Sequence, residues 1–300
     1  MTAGRTMTYE VTHRTEYDYE SDVSDSYAQL HLLPRELPGQ RCRSARIVVE
    51  PEPEDYGVRT DYFGNRVSFL AIHAPHRALR VTATSLVEVD EGPSLARFGR
   101  RPWEEVRDLG RSAPADRLEA SQFTLDSPLV AGSAAFADYA GASFTPGRIF
   151  LDAVTELTHR IHADFAYRPG ATSVATPLEE AFAGRAGVCQ DFAHVGIACL
   201  RSIGLPARYV SGYLETDPPP GRPKLKGADG SHAWLSVRVP QAGWVDVDPT
   251  NDQFANVRYI VAAYGRDYSD VPPLSGVIYT EGSTRRLRVL VDVVAVPTGV

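Results

Sequence analysis

The stretch Gly187-Val188-Cys189-Gln190-Asp191-Phe192-Ala193-His194-Val195 decides how the rest of the chain reads. From Gly187 onward, Val188, Phe192, Val195, Cys199 and Ile203 recur at helical spacing, one apolar stripe of a helix that stops at Gly204-Leu205-Pro206. Cys189 therefore falls in the first turn of a buried helix. Unbonded first-turn N–H groups and the positive end of the helix dipole favour an anion there, which suits both a thiolate and a developing oxyanion. Gly187, just upstream, would let a substrate backbone approach closely.

A thiol nucleophile needs an imidazole. His194 lies on the same helix but about 140° around it from Cys189, so it reads as a surface or packing residue. His159 and His162 sit three apart on the preceding helix with no thiol or acidic partner at helical spacing, and read as ordinary side chains rather than metal ligands. Downstream, Ala207-Arg208-Tyr209-Val210 reads as a strand running to Gly212-Tyr213-Leu214. A Pro- and Gly-rich loop follows over 215–230, in which Asp217-Pro218-Pro219-Pro220-Gly221, Lys224 and Lys226 read as a solvated connector, with a lid beside His232 as the alternative.

Beyond that loop Ala233, Leu235, Val237 and Val239 alternate with His232, Trp234, Ser236 and Arg238, and Trp244-Val245-Asp246-Val247-Asp248 returns as a second strand. If Arg238 pairs Trp244, Asp248 faces Trp234 and lies diagonal to His232 on one face. A connection one residue shorter would put them on opposite faces. Asp246 shares the favoured face one step farther away and is the second choice; Asp191 reads as a partner of the helix dipole.

Residues 8 to about 95 carry strand signals: Tyr9-Val11-His13, Tyr17-Tyr19, Ile47-Val48-Val49, Leu79-Val81-Ala83, and a Gly64-Asn65 turn between β-prone arms. A β-sandwich or a twisted antiparallel sheet follows. The segment 101–126 reads as a linker with a short helix at Trp103 to Asp108. Ser127-Pro128 and Thr176-Pro177-Leu178-Glu179 read as helix starts, the second ending at Gly184, and Phe150, Val154, Leu157 and Ile161 form another helical stripe. The division is a β-rich region 1–100, the linker 101–126, and a core 127–300 ending in a strand.

Composition excludes several classes. The 300 residues are 43% hydrophobic and 23% charged, enough to bury a core. A net charge of −7 with no basic face argues against nucleic acid. No apolar run approaches the ~18 residues of a membrane span, and no apolar leader is visible, so a cytoplasmic location is the expectation. The three cysteines, Cys42, Cys189 and Cys199, include no CxxC pair. Cys189 and Cys199 stand about 15 Å apart along their helix, too far for a disulfide.

Gly187-Val188-Cys189-Gln190-Asp191-Phe192-Ala193, Ser231-His232-Ala233-Trp234 and Gly243-Trp244-Val245-Asp246-Val247-Asp248-Pro249-Thr250 together resemble the three signature blocks of the transglutaminase-like superfamily core. The N-terminal half, with Asp61-Tyr62-Phe63-Gly64-Asn65, resembles the β-rich region that precedes that core in a widespread group of bacterial transglutaminase-like proteins, often described as cysteine proteases. The resemblance implies an α+β, papain-like core in which a Cys-bearing helix packs on an antiparallel sheet, preceded by a β-sandwich-like N-terminal domain. It assigns Cys189 as nucleophile, His232 as general base and acid, and Asp248 as the orienting carboxylate. Tyr167, Gln190 and Trp234 become candidate oxyanion or substrate-binding residues. No calcium-binding portion of the animal enzymes is recognisable, and neither a metal nor a cofactor is implied. The expected partner is a peptide or protein substrate. The expected activity is thiol-dependent acyl transfer from amides to water or to an amine; the alternative is an inactive fold that uses the same groove to bind a peptide.

Overall fold

One long strand, β1 (Thr6–Leu30), organises the first half of the chain. Its buried positions alternate, with Tyr9, Val11, His13 and Thr15 inside and the residues between them facing out, as the period of a strand requires. It is joined by β2 (Gln40–Glu50), β3 (Asp55–Thr60), β4 (Arg66–Ile72) and β5 (His76–Asp90), every pairing antiparallel. Of the two arrangements open to these strands, the chain takes the single curled sheet, in the order β2-β5-β1-β4-β3. The predicted turn is present: Asp61 N donates to Asn65 O at 3.0 Å, and Gly64 takes φ +77°, a backbone region glycine occupies without penalty. The computed structural model describes residues 5–92, 95–112, 118, 120–217, 229–282 and 285–296. The 215–230 connector therefore lies largely outside the described residues.

The second half carries α1 (Trp103–Ser112), α2 (Ala134–Gly141), α3 (Phe150–Asp164), β6 (Ala166–Tyr167), α4 (Leu178–Gly184), β7 (Ala186–Gly187) and α5 (Cys189–Ser202). Then come β8 (Ala207–Leu214), β9 (Ser231–Val239), β10 (Gly243–Asp248), β11 (Gln253–Phe254) and β12 (Tyr259–Gly265), in the sheet order β11-β10-β9-β8-β12. The helix that opens at Cys189 is buried on nearly every side. It rests on Leu235 and Val237 of β9, while Phe136, Val154, Leu157 and Ile161 of α2 and α3 join the same apolar cluster. The segment read as a linker is part of that packing too, since Val106 and Trp103 of α1 lie in or against the cluster.

Two helix starts fall elsewhere than the local signals suggest. Ser127-Pro128 forms a turn, with Ser127 N and Val130 O bonded at 2.9 Å, and the helix begins at Ala134 behind an N-cap Ser133. Thr176 does not cap α4; its hydroxyl receives Ser173 N at 2.9 Å, and Pro177 stands at the N-cap position without a side-chain bond. In both places a serine or threonine hydroxyl serves the preceding loop instead of the helix.

The last strands depart from the expected division. The sequence places the core at 127–300 with a strand at its end, but β13 (Leu274–Thr280) and β14 (Arg285–Val296) both pair with β1 of the first sheet. Val291 and Val293 of β14 pack with Tyr9, Val11, Val87 and Val89 against Tyr213, Ile260 and Ala262 of the second sheet. The last described strand thus lies beside the first, and the two sheets share an apolar contact. Among the described residues, no helix is long and apolar enough to cross a membrane.

One glycine marks how closely the sheet strands approach the site. A Cβ on Gly212 of β8 would lie 2.1 Å from the Ile260 carbonyl oxygen and 2.7 Å from the Trp234 ring. A backbone oxygen in a paired strand cannot swing aside. Gly212→Ala is expected to cost about 3 kcal/mol, read as a lowered thermal midpoint; an unchanged midpoint would contradict this packing.

Candidate active site

The short parallel pair β6–β7 sets where α5 begins. Tyr167 pairs Gly187, and Arg168 N donates to Gly187 O at 2.8 Å. The Arg185 guanidinium sits 4.3 Å from the Phe182 ring centroid and 4.7 Å from that of Phe165, anchoring the chain just before β7. Val188 then caps α5 in extended conformation, and Asp191 accepts its N–H at 2.8 Å, the half of a capping box that a valine permits. Thr172 Oγ1 donates to the same Asp191 oxygen at 2.7 Å. This gives Gly187 a reason different from substrate approach: a Cβ there would lie 2.4 Å from Asp191 Oδ2.

Cys189 is thus the first helical residue, partly buried, with its own amide and that of Gln190 lacking a carbonyl one turn back within the helix. His232 comes from β9. The hairpin adopts the register that pairs Arg238 with Trp244 and Leu235 with Val247, so the diagonal placement expected of His232 and Asp248 follows. His232 Nε2 donates to Asp248 Oδ2 at 2.7 Å. Cys189 acts on the same ring electrostatically, helping to hold a proton on His232. With Nε2 engaged, Nδ1 is the nitrogen left for the thiol.

Asp248 is wholly buried and saturated with donors. Its Oδ2 accepts from His232, from Asn251 Nδ2 at 2.7 Å and from the Tyr259 hydroxyl at 2.8 Å. Its Oδ1 accepts the backbone N–H groups of Thr250 at 2.8 Å and Asn251 at 3.3 Å. Burial works against the carboxylate charge, but the bond to His232, the imidazolium charge, and the Asn251 and Tyr259 donors outweigh it and hold the Asp248 pKa below its ordinary value. Burial likewise opposes a charged His232. Hydrogen bonds to Asp248 and to the Cys189 sulfur, with the negative charges they carry, overcome it and raise the ring pKa to about 10.

Trp234 does not line a substrate surface. It is fully buried, stacked behind His232 with ring centroids 6.0 Å apart, and its edge meets Tyr259 at 5.2 Å. It keeps the imidazole in place from behind. Tyr167 is 57% exposed on the Cys189 side, and the cysteine's charge helps to raise its pKa after burial. Gln190 is half-buried beside Cys189. Asp246 is engaged by the Ser236 hydroxyl and does not approach His232. His194 is a core residue whose Nε2 accepts Tyr268 N at 3.1 Å, with burial lowering its pKa to about 4. His159 and His162 grip the loop after Asp248, bonding Asp252 at 2.7 Å and the Thr250 carbonyl at 2.9 Å. Tyr259 and Asn251 escaped the sequence reading. Asn251 had a signal in Asp248-Pro249-Thr250-Asn251, a turn in which an aspartate accepts backbone N–H groups two and three residues on.

Residues 9–88 match the bacterial transglutaminase-like N-terminal region, and residues 141–249 match the transglutaminase-like superfamily. The chain is 44% identical over 298 residues to an uncharacterized protein of Mycobacterium tuberculosis, covering 95% of this chain and 92% of that one. Over 92 residues, 30% of this chain and 14% of the other, it is 37% identical to a protein-glutamine gamma-glutamyltransferase of Pseudomonas aeruginosa. A solved structure of a candidate cysteine protease from Cytophaga hutchinsonii shares the fold, with a TM-score of 0.71 at 19% identity, covering 99% of this chain and 93% of that one.

Proposed function

Because the chain belongs to the transglutaminase-like superfamily, we propose that it catalyses thiol-dependent acyl transfer from a peptide or protein amide, with Cys189, His232 and Asp248 as the reacting and orienting groups. The observation that supports this reading is the bond from His232 to Asp248, a carboxylate locked by five donors, with Cys189 at the start of the buried helix α5. A carboxylate so held fixes the imidazole tautomer and ring orientation, so that the ring can take and return a proton at one defined nitrogen. In the first step the Cys189 sulfur bonds to the amide carbonyl carbon. The tetrahedral oxyanion forms near the amides of Cys189 and Gln190, and the carbon–nitrogen bond breaks as His232 passes its proton to the departing amine. The thioester is then attacked by water or by an amine, whose proton returns to His232 as the thiolate leaves. Water yields an acid and an amine yields a new amide.

Three thiols in one protein supply their own controls. Burial pushes the Cys199 thiol up to about 12, and burial, outweighing the nearby Arg66 charge that lowers it, raises the Cys42 pKa. With iodoacetamide near pH 6, Cys189 is expected to alkylate at least about tenfold faster than either, and His232→Ala to erase the difference. Equal, slow labelling of all three would refute the ion pair, and with it the catalytic assignment.

A further inference from the structure

The outer edge of β12 is covered by two amide side chains rather than by a strand. Gln40 Nε2 donates to Val261 O at 2.8 Å, and Gln40 Oε1 accepts Val261 N at 2.8 Å. Asn65 repeats the pattern on Tyr264, donating to its oxygen and accepting its N–H, both at 3.0 Å. Each amide acts as one rung of a ladder. In a regular strand, residues facing the same edge are two apart, whereas these are three apart. The register of β12 on β8 slips between Val261 and Ala263, and the extra residue turns both outward.

Both amides are buried, Gln40 at the start of β2 and Asn65 in the turn between β3 and β4. Gln40 closes the turn Leu37-Pro38-Gly39-Gln40, bonded between Leu37 and Gln40 in both directions, with Gly39 at φ +89°. The same turn packs Leu37 against the cluster of Trp234, Tyr259 and Val261. Gln40 also donates to Arg35 O at 2.9 Å, and Arg35 N donates to Val261 O at 3.1 Å. Asn65 in turn is held by both oxygens of Asp61, each at 2.7 Å.

Two residues before Val261 stands Tyr259, whose hydroxyl reaches Asp248. We propose that Gln40 is a positioning residue for Asp248: it sets the lateral place of β12 so that the Tyr259 hydroxyl meets the carboxylate that orients His232. The first sheet is thereby part of the catalytic unit. Its consequence for catalysis rests on the acyl-transfer reading, while the placement itself does not.

The test compares the full chain with Gln40→Met, Tyr259→Phe and the double variant, with Gln40→Asn as a shorter amide should methionine prevent folding. Two quantities are read: solvent exchange of the His232 Nε2 proton by NMR, repeated in Cys189→Ala, and the rate of Cys189 alkylation at pH 6. Each single variant is expected to speed that exchange and slow labelling by about fivefold to tenfold, the size of one weakened hydrogen bond to a charged group. In the double variant the effects should not multiply, because both act through the same hydroxyl. Multiplying effects, no change in Gln40→Met and Gln40→Asn, or no protected Nε2 proton in the unaltered protein would overturn the proposal. Ordinary labelling of Cys189 in the unaltered protein, with the proton effects intact, would instead count against acyl transfer.

Discussion

Cys189→Ala is expected to reduce acyl transfer to background, a loss of about a million-fold, because every bond change in the proposed reaction passes through that sulfur. The measurement is a mass analysis of a peptide library incubated with and without a primary amine. The unaltered protein should show hydrolysed amides, amine-substituted amides, or both. The alanine variant should show neither. Cys42→Ser is the matched control: that residue lies on β2 of the first sheet, beside Arg66, and its loss should leave the rate unchanged. His232→Ala should come within about tenfold of Cys189→Ala, since removing either member of a unit that acts together costs nearly as much as removing both. Full activity in Cys189→Ala would eliminate the assignment.

The parts of the site that could be read from the chain are those governed by local periodicity. The spacing from Val188 to Ile203 places Cys189 at a helix start, and the alternation on either side of Pro240-Gln241-Ala242-Gly243 leaves two hairpin registers, of which the chain takes the one that joins His232 to Asp248. The parts that could not be read depend on what covers each surface. Trp234 alternates with aliphatic neighbours as an outward residue would, yet Val210, Tyr259 and Val261 of its own sheet and Leu37 of the turn before β2 close over it and leave it inaccessible. Tyr259 is eleven residues beyond Asp248 on a strand two places away from β9, and only tertiary pairing brings its hydroxyl to the carboxylate. The closing of β13 and β14 onto β1 is likewise a pairing across most of the chain length, with no local signature beyond their own alternation. Gly187 is a third case: the glycine is required by the Asp191 carboxylate that fills the space beside it, with no need of a substrate.

Asp248→Asn should keep the fold and lose about a hundredfold to ten-thousandfold in rate, with a displaced pH profile as its signature. The asparagine side chain is close in volume and can still accept a hydrogen bond, but it brings no charge to His232. In the unaltered protein the imidazolium persists until pH nears about 10, so the alkaline limb of acyl transfer should lie near there. Without the carboxylate, burial regains weight against the charged ring, and the limb should move down towards the ordinary histidine value of 6.5. Stability carries the same sign. A histidine whose folded pKa lies above its unfolded one stabilises fully below about 6.5, and that contribution drains away as pH rises towards 10. Asp248 acts in the opposite sense: its depressed pKa contributes above its unfolded value of 3.8 and is lost as the solution becomes more acidic. Thermal midpoints across the pH range should therefore fall at both ends in the unaltered protein. In Asp248→Asn the acid-side loss should shrink and the alkaline loss should begin earlier. A variant whose alkaline limb stays near 10 would show that the charge of Asp248 is not what holds the proton on His232.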